Sequence, residues 1–209
     1  MSAASNTKPN PYADAPRLPE AKQLDLAELV RPGSPIELEI GPGRGGFLFE
    51  RLAAAPEICM LGFEIRRKWA TIVDNKLKAS GLGARSRVFY EDARSALSRV
   101  PTASLARVYI HFPDPWWKKR HEKRLVVSSS LLPEVVRVLA AGGELFVQTD
   151  VADRAAEYEA AIDATPGLVA APGGPRLAEN PFLARSPREH RAIKDGLPIH
   201  RLLYRKSAG

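Results

Sequence analysis

The chain is 209 residues long, 44% hydrophobic and 26% charged, ordinary proportions for a soluble globular protein and enough for one large domain with a full core. Its formal net charge of +7 favours a polyanion as partner: RNA, DNA or an anionic membrane surface. One cysteine, Cys59, excludes an intramolecular disulfide and a multi-cysteine zinc site and fits a reducing cytoplasm, and no apolar run approaches the ~18 residues of a membrane span.

The first 19 residues carry four prolines and no apolar run. They read as a mobile arm, neither signal peptide nor membrane anchor, ahead of a single domain over residues 20–209. Ile36–Ile40 predicts a short strand stopped by glycines, and Gly45–Ala54 a helix. Ile58–Phe63 predicts a second strand and Lys68–Ala79 a helix ending near Gly81. Arg87–Tyr90 is a third strand, followed by a short helix near Arg94–Arg99, and Val108–Phe112 a fourth strand. Leu131–Ala140 reads as helix closed by Gly142-Gly143, Glu144–Thr149 as a fifth strand and Arg154–Ala164 as helix. Val169–Ala171 is a short strand, a Pro/Gly-rich connection runs through Pro187, and Ile199–Tyr204 is the last strand. This alternation predicts an α/β fold of βαβ units on a doubly wound, mostly parallel seven-stranded sheet with an antiparallel final strand.

The stretch "IELEIGPGRGGF" reads as strand, glycine loop and helix. Gly41, Gly43 and Gly45 permit a tight turn and close approach of a ligand to backbone. The helix N-terminus then offers unpaired N–H groups. Gly41-x-Gly43-x-x-Gly46 also satisfies the dinucleotide fingerprint, so the glycines alone do not separate NAD from S-adenosylmethionine, and a plain packing turn remains the alternative. The acids shift the balance. Glu64 ends the second strand and can accept both ribose hydroxyls of either cofactor; Asp92 ends the third, where it can face an adenine amine. Glu39 just before the loop is awkward beside a pyrophosphate but suits a ligand carrying an ammonium and a sulfonium. Each acid alone is as well explained by a solvated strand end or a helix cap. Acids at three successive strand ends favour S-adenosylmethionine.

Past the fourth strand comes "HFPDPWWKKRHEKR". Pro113 and Pro115 restrict the backbone on both sides of Asp114, which suits an acid that must orient a reacting group, or a plain proline-bracketed turn. Trp116 reads as wall or core, Trp117 stays open between core and base stacking, and Trp69 reads as core. Lys118, Lys119, Arg120, Lys123 and Arg124 place five cations within seven residues. A solvated face is the usual reading of such a run, but its position beside the presumed site favours phosphate contacts.

These residues together resemble the bacterial tRNA (guanine-N7)-methyltransferases, which transfer a methyl group from S-adenosylmethionine to a guanosine in the tRNA variable loop. The resemblance spans roughly Ile36 to Lys206; "FPDPWWKKRHEKR" is its most specific part, supported by "LEIGPGRG", "GFEI", "EDA" and "VQTD". It implies a class I (Rossmann-like) methyltransferase fold, S-adenosylmethionine as cofactor and tRNA as partner. Carried over by position, it implies that Glu39, Gly41, Gly43, Gly45, Glu64, Asp92, Ala93 and Asp114 meet the cofactor, with Asp114 also catalytic. Lys118 and Asp150 are implied as substrate contacts, and Arg120–Leu125, with Lys123 and Arg124, as the segment set against RNA. The family's Thr-x-x-Glu substrate motif is matched by Ser186-Pro-Arg-Glu189, where serine keeps the hydroxyl and loses the methyl. Two competing readings are an RNA-binding module that has lost catalysis, which the intact acids oppose, and an NAD-dependent oxidoreductase, which Glu39 disfavours.

Overall fold

The computed structural model describes residues 10–113 and 126–207. Its strands are β1 (Ile36–Ile40), β2 (Cys59–Glu64), β3 (Ser86–Tyr90), β4 (Leu105–His111), β5 (Leu139–Thr149), β6 (Leu168–Ala170) and β7 (His200–Lys206). They form one seven-stranded sheet in the order β3-β2-β1-β4-β5-β7-β6. Neighbours from β3 to β5 pair in parallel, while β7 runs antiparallel to both β5 and β6. The helices are α1 (Leu26–Leu29), α2 (Gly46–Ala54), α3 (Arg67–Ala79), α4 (Ala93–Ala96), α5 (Leu132–Val138), α6 (Ala152–Asp163) and α7 (Pro187–Lys194).

The period-2 alternation of strands sorts the core into two layers. Leu38 and Ile40 of β1 join Val108, Ile110, Leu145 and Val147 on one face, with Leu132 and Val135 of α5 and Ile162 of α6. Tyr109 and Phe146 belong to the other face, under Phe47, Leu48 and Leu52 of α2 and Val73 and Leu77 of α3. β2 is buried along its whole length, as expected of a central parallel strand covered on both sides.

Three expectations change. The helix expected over Leu131–Ala140 ends at Val138, and β5 begins at Leu139, which pairs with Leu105 ahead of a register shift. Gly143 allows this, because a Cβ there would lie 3.1 Å from the carbonyl oxygens of both Leu105 and Ala106. The connection expected through Pro187 ends in a helix, α7. Ser186 caps it, accepting from Glu189 N, Pro187 occupies its first turn, and Gly196 closes it at φ +65° with Leu197 N donating to Ala192 O. Trp69, expected in the core, is only half-buried, and the Arg44 guanidinium lies 4.9 Å from its ring.

The described part of the segment expected as a mobile arm over 1–19 packs onto the sheet's β3 edge from Pro16 onward. Tyr90 N donates to Pro16 O at 2.7 Å, the Arg17 guanidinium stands 3.9 Å over the Tyr90 ring, and Leu18 and Leu24 enter the core.

Candidate active site and cofactor cavity

The chain order of the sheet reverses between β1 and β4. Ligands of such sheets sit outside the carboxyl ends of the strands at this switch point. A cavity of about 570 Å³ opens there, lined by Gly41 after β1, Glu64 at the end of β2, Asp92 and Ala93 after β3, His111 at the end of β4 and Phe112 and Pro113 after it. It matches the size of ordinary small-molecule sites.

The glycine loop is built by backbone and acid together. Gly41 N donates to Phe63 O and Gly43 N to Glu64 Oε2, each at 2.8 Å. Gly45 caps α2 in the left-handed region at φ +76°, and a Cβ there would meet Val73 Cγ1 at 2.7 Å. At Gly46 a Cβ would run into the Pro187 ring, so α7 abuts the start of α2 only because this position is glycine. The fingerprint's last glycine therefore serves helix packing, and it brings the Ser186–Glu189 turn against the glycine loop.

Glu64, with a side chain 2% exposed, accepts from Gly43 N through Oε2 and from Arg66 N at 2.8 Å and Arg66 Nε at 3.3 Å through Oε1. It holds the loop shape while lining the cavity. Asp92 is the cap of α4, accepting from Arg94 N at 3.0 Å, and is also paired with the Arg94 side chain. The Arg94 hydrogen bond holds the Asp92 carboxyl below its usual range. Asp92 thus caps α4 and also lines the cavity. Glu39 is buried; Oε1 lies 2.9 Å from His111 Nδ1, and Oε2 has no partner among the described residues.

Phe112 follows at φ +46°, unusual for a non-glycine residue, with its N–H donating to Gln148 O at 2.8 Å. This turn precedes Pro113-Asp114. Asp114, Trp116, Trp117, Lys118, Lys119, Arg120, Lys123 and Arg124 lie outside the described residues.

Asp150 follows β5 and is held by Arg188 of α7, whose Nε is 3.0 Å from Oδ2. Ser186 and Glu189 are both buried. The Ser186 hydroxyl is spent on the α7 cap, and Glu189 accepts from Arg201 Nη2 and Asn180 Nδ2, each at 2.9 Å. The structure therefore brings Asp150, Ser186 and Glu189 together around the N-terminus of α7, with Asp150 Oδ2, the Ser186 hydroxyl and both Glu189 carboxylate oxygens engaged inside the chain.

Sequence reasoning passed over His111 and Gln148. They are register partners on β4 and β5, both buried, and His111 Nε2 and both polar atoms of the Gln148 side chain lack partners among the described residues. No local signal marks His111: only in the sheet does Glu39 pair with Tyr109, which puts His111 on the same face two residues later. Deeper on that face, Glu37 accepts from Arg51 Nε, Arg107 Nη1 and Tyr109 Oη. Burial works to raise the Glu37 pKa, but the two arginines overcome it and hold the carboxyl below its ordinary value.

The sheet order, the glycine loop and the strand-end acids define a class I methyltransferase. A family model described as "Putative methyltransferase" matches residues 33–202. A tRNA (guanine-N(7)-)-methyltransferase of Nostoc sp. is 35% identical over 182 residues, 85% of this chain and 82% of that protein. The protein of the same name from Rhodopirellula baltica is 33% identical over 219 residues, 99% of this chain and 80% of its own length. The chain belongs to the tRNA (guanine-N(7)-)-methyltransferase family. Solved structures share the fold at low identity: the 16S rRNA methyltransferase KamB has a TM-score of 0.60 at 17% identity over 92% of this chain and 99% of its own. An rRNA methylase from Streptococcus thermophilus has 0.55 at 12%, over 88% and 92%.

Proposed function

We propose that this protein transfers a methyl group from S-adenosylmethionine to N7 of a guanosine in tRNA, in the variable loop, and works in the cytoplasm. The observation that carries the reading is the cavity at the switch point, lined by Gly41 of the glycine loop, by Glu64 at the end of β2 and by Asp92 after β3, in a chain of this family. The donor set fits the cofactor. Glu64 and Asp92 line the cavity as acceptors for hydroxyls and an amine, Gly41 and Ala93 present backbone, Gly43 and Gly45 shape the loop, and Glu39 keeps one carboxylate oxygen unpaired among the described residues. When bound, S-adenosylmethionine supplies an electrophilic methyl group on a sulfonium.

Guanine N7 carries an in-plane lone pair and no proton, so the protein has no nucleophile to deprotonate. Its work is placement and electrostatics. We assign Asp114 to both: bracketed by Pro113 and Pro115, it follows the Phe112 turn and stabilises the positive charge that ends on the base. Lys118, Arg120, Lys123 and Arg124 take tRNA phosphates. Asp150, Ser186 and Glu189 form the substrate side, Ser186 and Glu189 by fixing the start of α7 beside the cofactor loop and Asp150 through its pair with Arg188. The test is methyl transfer from labelled S-adenosylmethionine to an unmodified tRNA transcript and to the same transcript with the variable-loop guanosine changed to adenosine. Label should enter the first and be absent from the second; equal labelling of both contradicts the position.

A further inference from the structure

Glu39 and His111 stand 72 positions apart on adjacent strands, with side chains only 2% and 3% exposed. Nδ1 of His111 lies 2.9 Å from Oε1 of Glu39. A carboxylate only accepts, so Nδ1 carries the proton and donates it. The imidazole is fixed as a ring as well as by this bond. Phe47 lies 4.1 Å from it between centroids, Tyr109 stacks on it at 5.6 Å with planes 20° apart, and Phe146 meets it edge-on at 6.0 Å. The other carboxylate oxygen is treated differently. Oε2 of Glu39 is buried with no partner among the described residues, and Glu39 lies near the end of β1, two residues before the loop glycine that lines the cavity. A buried carboxylate that only needed support would have both oxygens satisfied, because an unpaired one is costly. Here one oxygen is anchored and the other is buried without a partner among the described residues.

We propose that His111 is a positioning residue: through Nδ1–H it fixes Glu39 so that Oε2 receives the cationic amino-acid end of S-adenosylmethionine. The inference rests on the cofactor reading above. Its test compares three variants by calorimetry with S-adenosylmethionine, by steady-state kinetics with tRNA and by thermal melting. His111→Leu removes the donor and should weaken cofactor binding by about tenfold to a hundredfold, the usual worth of a hydrogen bond to a charged group. KM for S-adenosylmethionine should rise while KM for tRNA stays unchanged. His111→Asn puts an amide N–H where Nδ1 stood and should restore affinity to within about threefold. His111→Gln places its donor where Nε2 stood and should not restore it. A purely structural imidazole would lower the melting temperature in all three without this ordering. A folded His111→Leu protein that binds S-adenosylmethionine like wild type overturns the inference, as does equal affinity in the Asn and Gln variants. The Asn and Gln comparison decides the matter if His111→Leu does not fold. Wild-type protein that binds no S-adenosylmethionine overturns the methyl-transfer reading itself, and this inference with it.

Discussion

Glu64 carries two duties at once. Its Oε2 holds Gly43 N and its Oε1 holds Arg66 N, so the loop keeps its shape around an acceptor that also faces the cavity. Glu64→Ala should weaken S-adenosylmethionine binding by roughly tenfold or more, since it removes charge-assisted acceptors and frees the loop. Calorimetry on the folded variant checks this, and wild-type affinity would count against the assignment. Asp114 is asked for something else. Asp114→Asn keeps its size and one acceptor oxygen but removes the charge, and the single-turnover rate should drop by ~10²–10³ while cofactor and tRNA binding persist. Methylation at the wild-type rate would end its catalytic role. At this scale part of the cavity's lining was legible: Glu64 and Asp92 stood out as acids at the ends of apolar strands, and both line the cavity. His111 did not, because one histidine on a strand has no local signal; its meaning comes from Glu39, a neighbour only in the sheet.

Among elements, β1 is tied to α2 and β4 by the buried Glu37 with Arg51, Arg107 and Tyr109. The sign of its pH effect follows from the lowered Glu37 pKa. A carboxyl whose folded value lies below its ordinary 4.5 adds stability that is fully present above that value and lost as pH falls through the folded one. Acid titration of the melting temperature should therefore show wild type losing stability below about pH 4.5, and Glu37→Gln, already less stable at neutral pH, losing less over the same range. Parallel acid curves for the two proteins would contradict the network's role. The strand and helix alternation of the first five strands could be read from sequence because β1 alternates apolar and acidic residues and the others each contain a short apolar run. α7 could not be read as easily. Its composition is charged, and the Pro and Gly around it signal a loop until Ser186, Pro187 and Glu189 are recognised as cap, first turn and third position. The early start of β5 was hidden for a different reason: Ala140, Ala141, Gly142 and Gly143 carry no strand pattern, and they fill the register shift between the Leu105–Leu139 and Arg107–Glu144 pairs.

For the whole molecule, a net charge of +7 sets the terms of encounter with a polyanion. Arg120, Lys123 and Arg124 fall within the segment read as facing the phosphates. Replacing all three by alanine should weaken tRNA binding and flatten the slope of log affinity against log salt by roughly two to three, at about 0.7–0.9 for each phosphate the variant no longer neutralises. S-adenosylmethionine affinity should stay the same. An unchanged salt slope would return the segment to a solvated face. Among the described residues no helix is long and apolar enough to cross a membrane. The central claim is the reaction itself, and the direct measurement is nucleoside mass spectrometry of unmodified tRNA incubated with the purified protein and S-adenosylmethionine. The predicted result is N7-methylguanosine that appears with time and requires both the protein and the cofactor. Methylation of another atom or base, or no methylation by protein that binds both ligands, would contradict it.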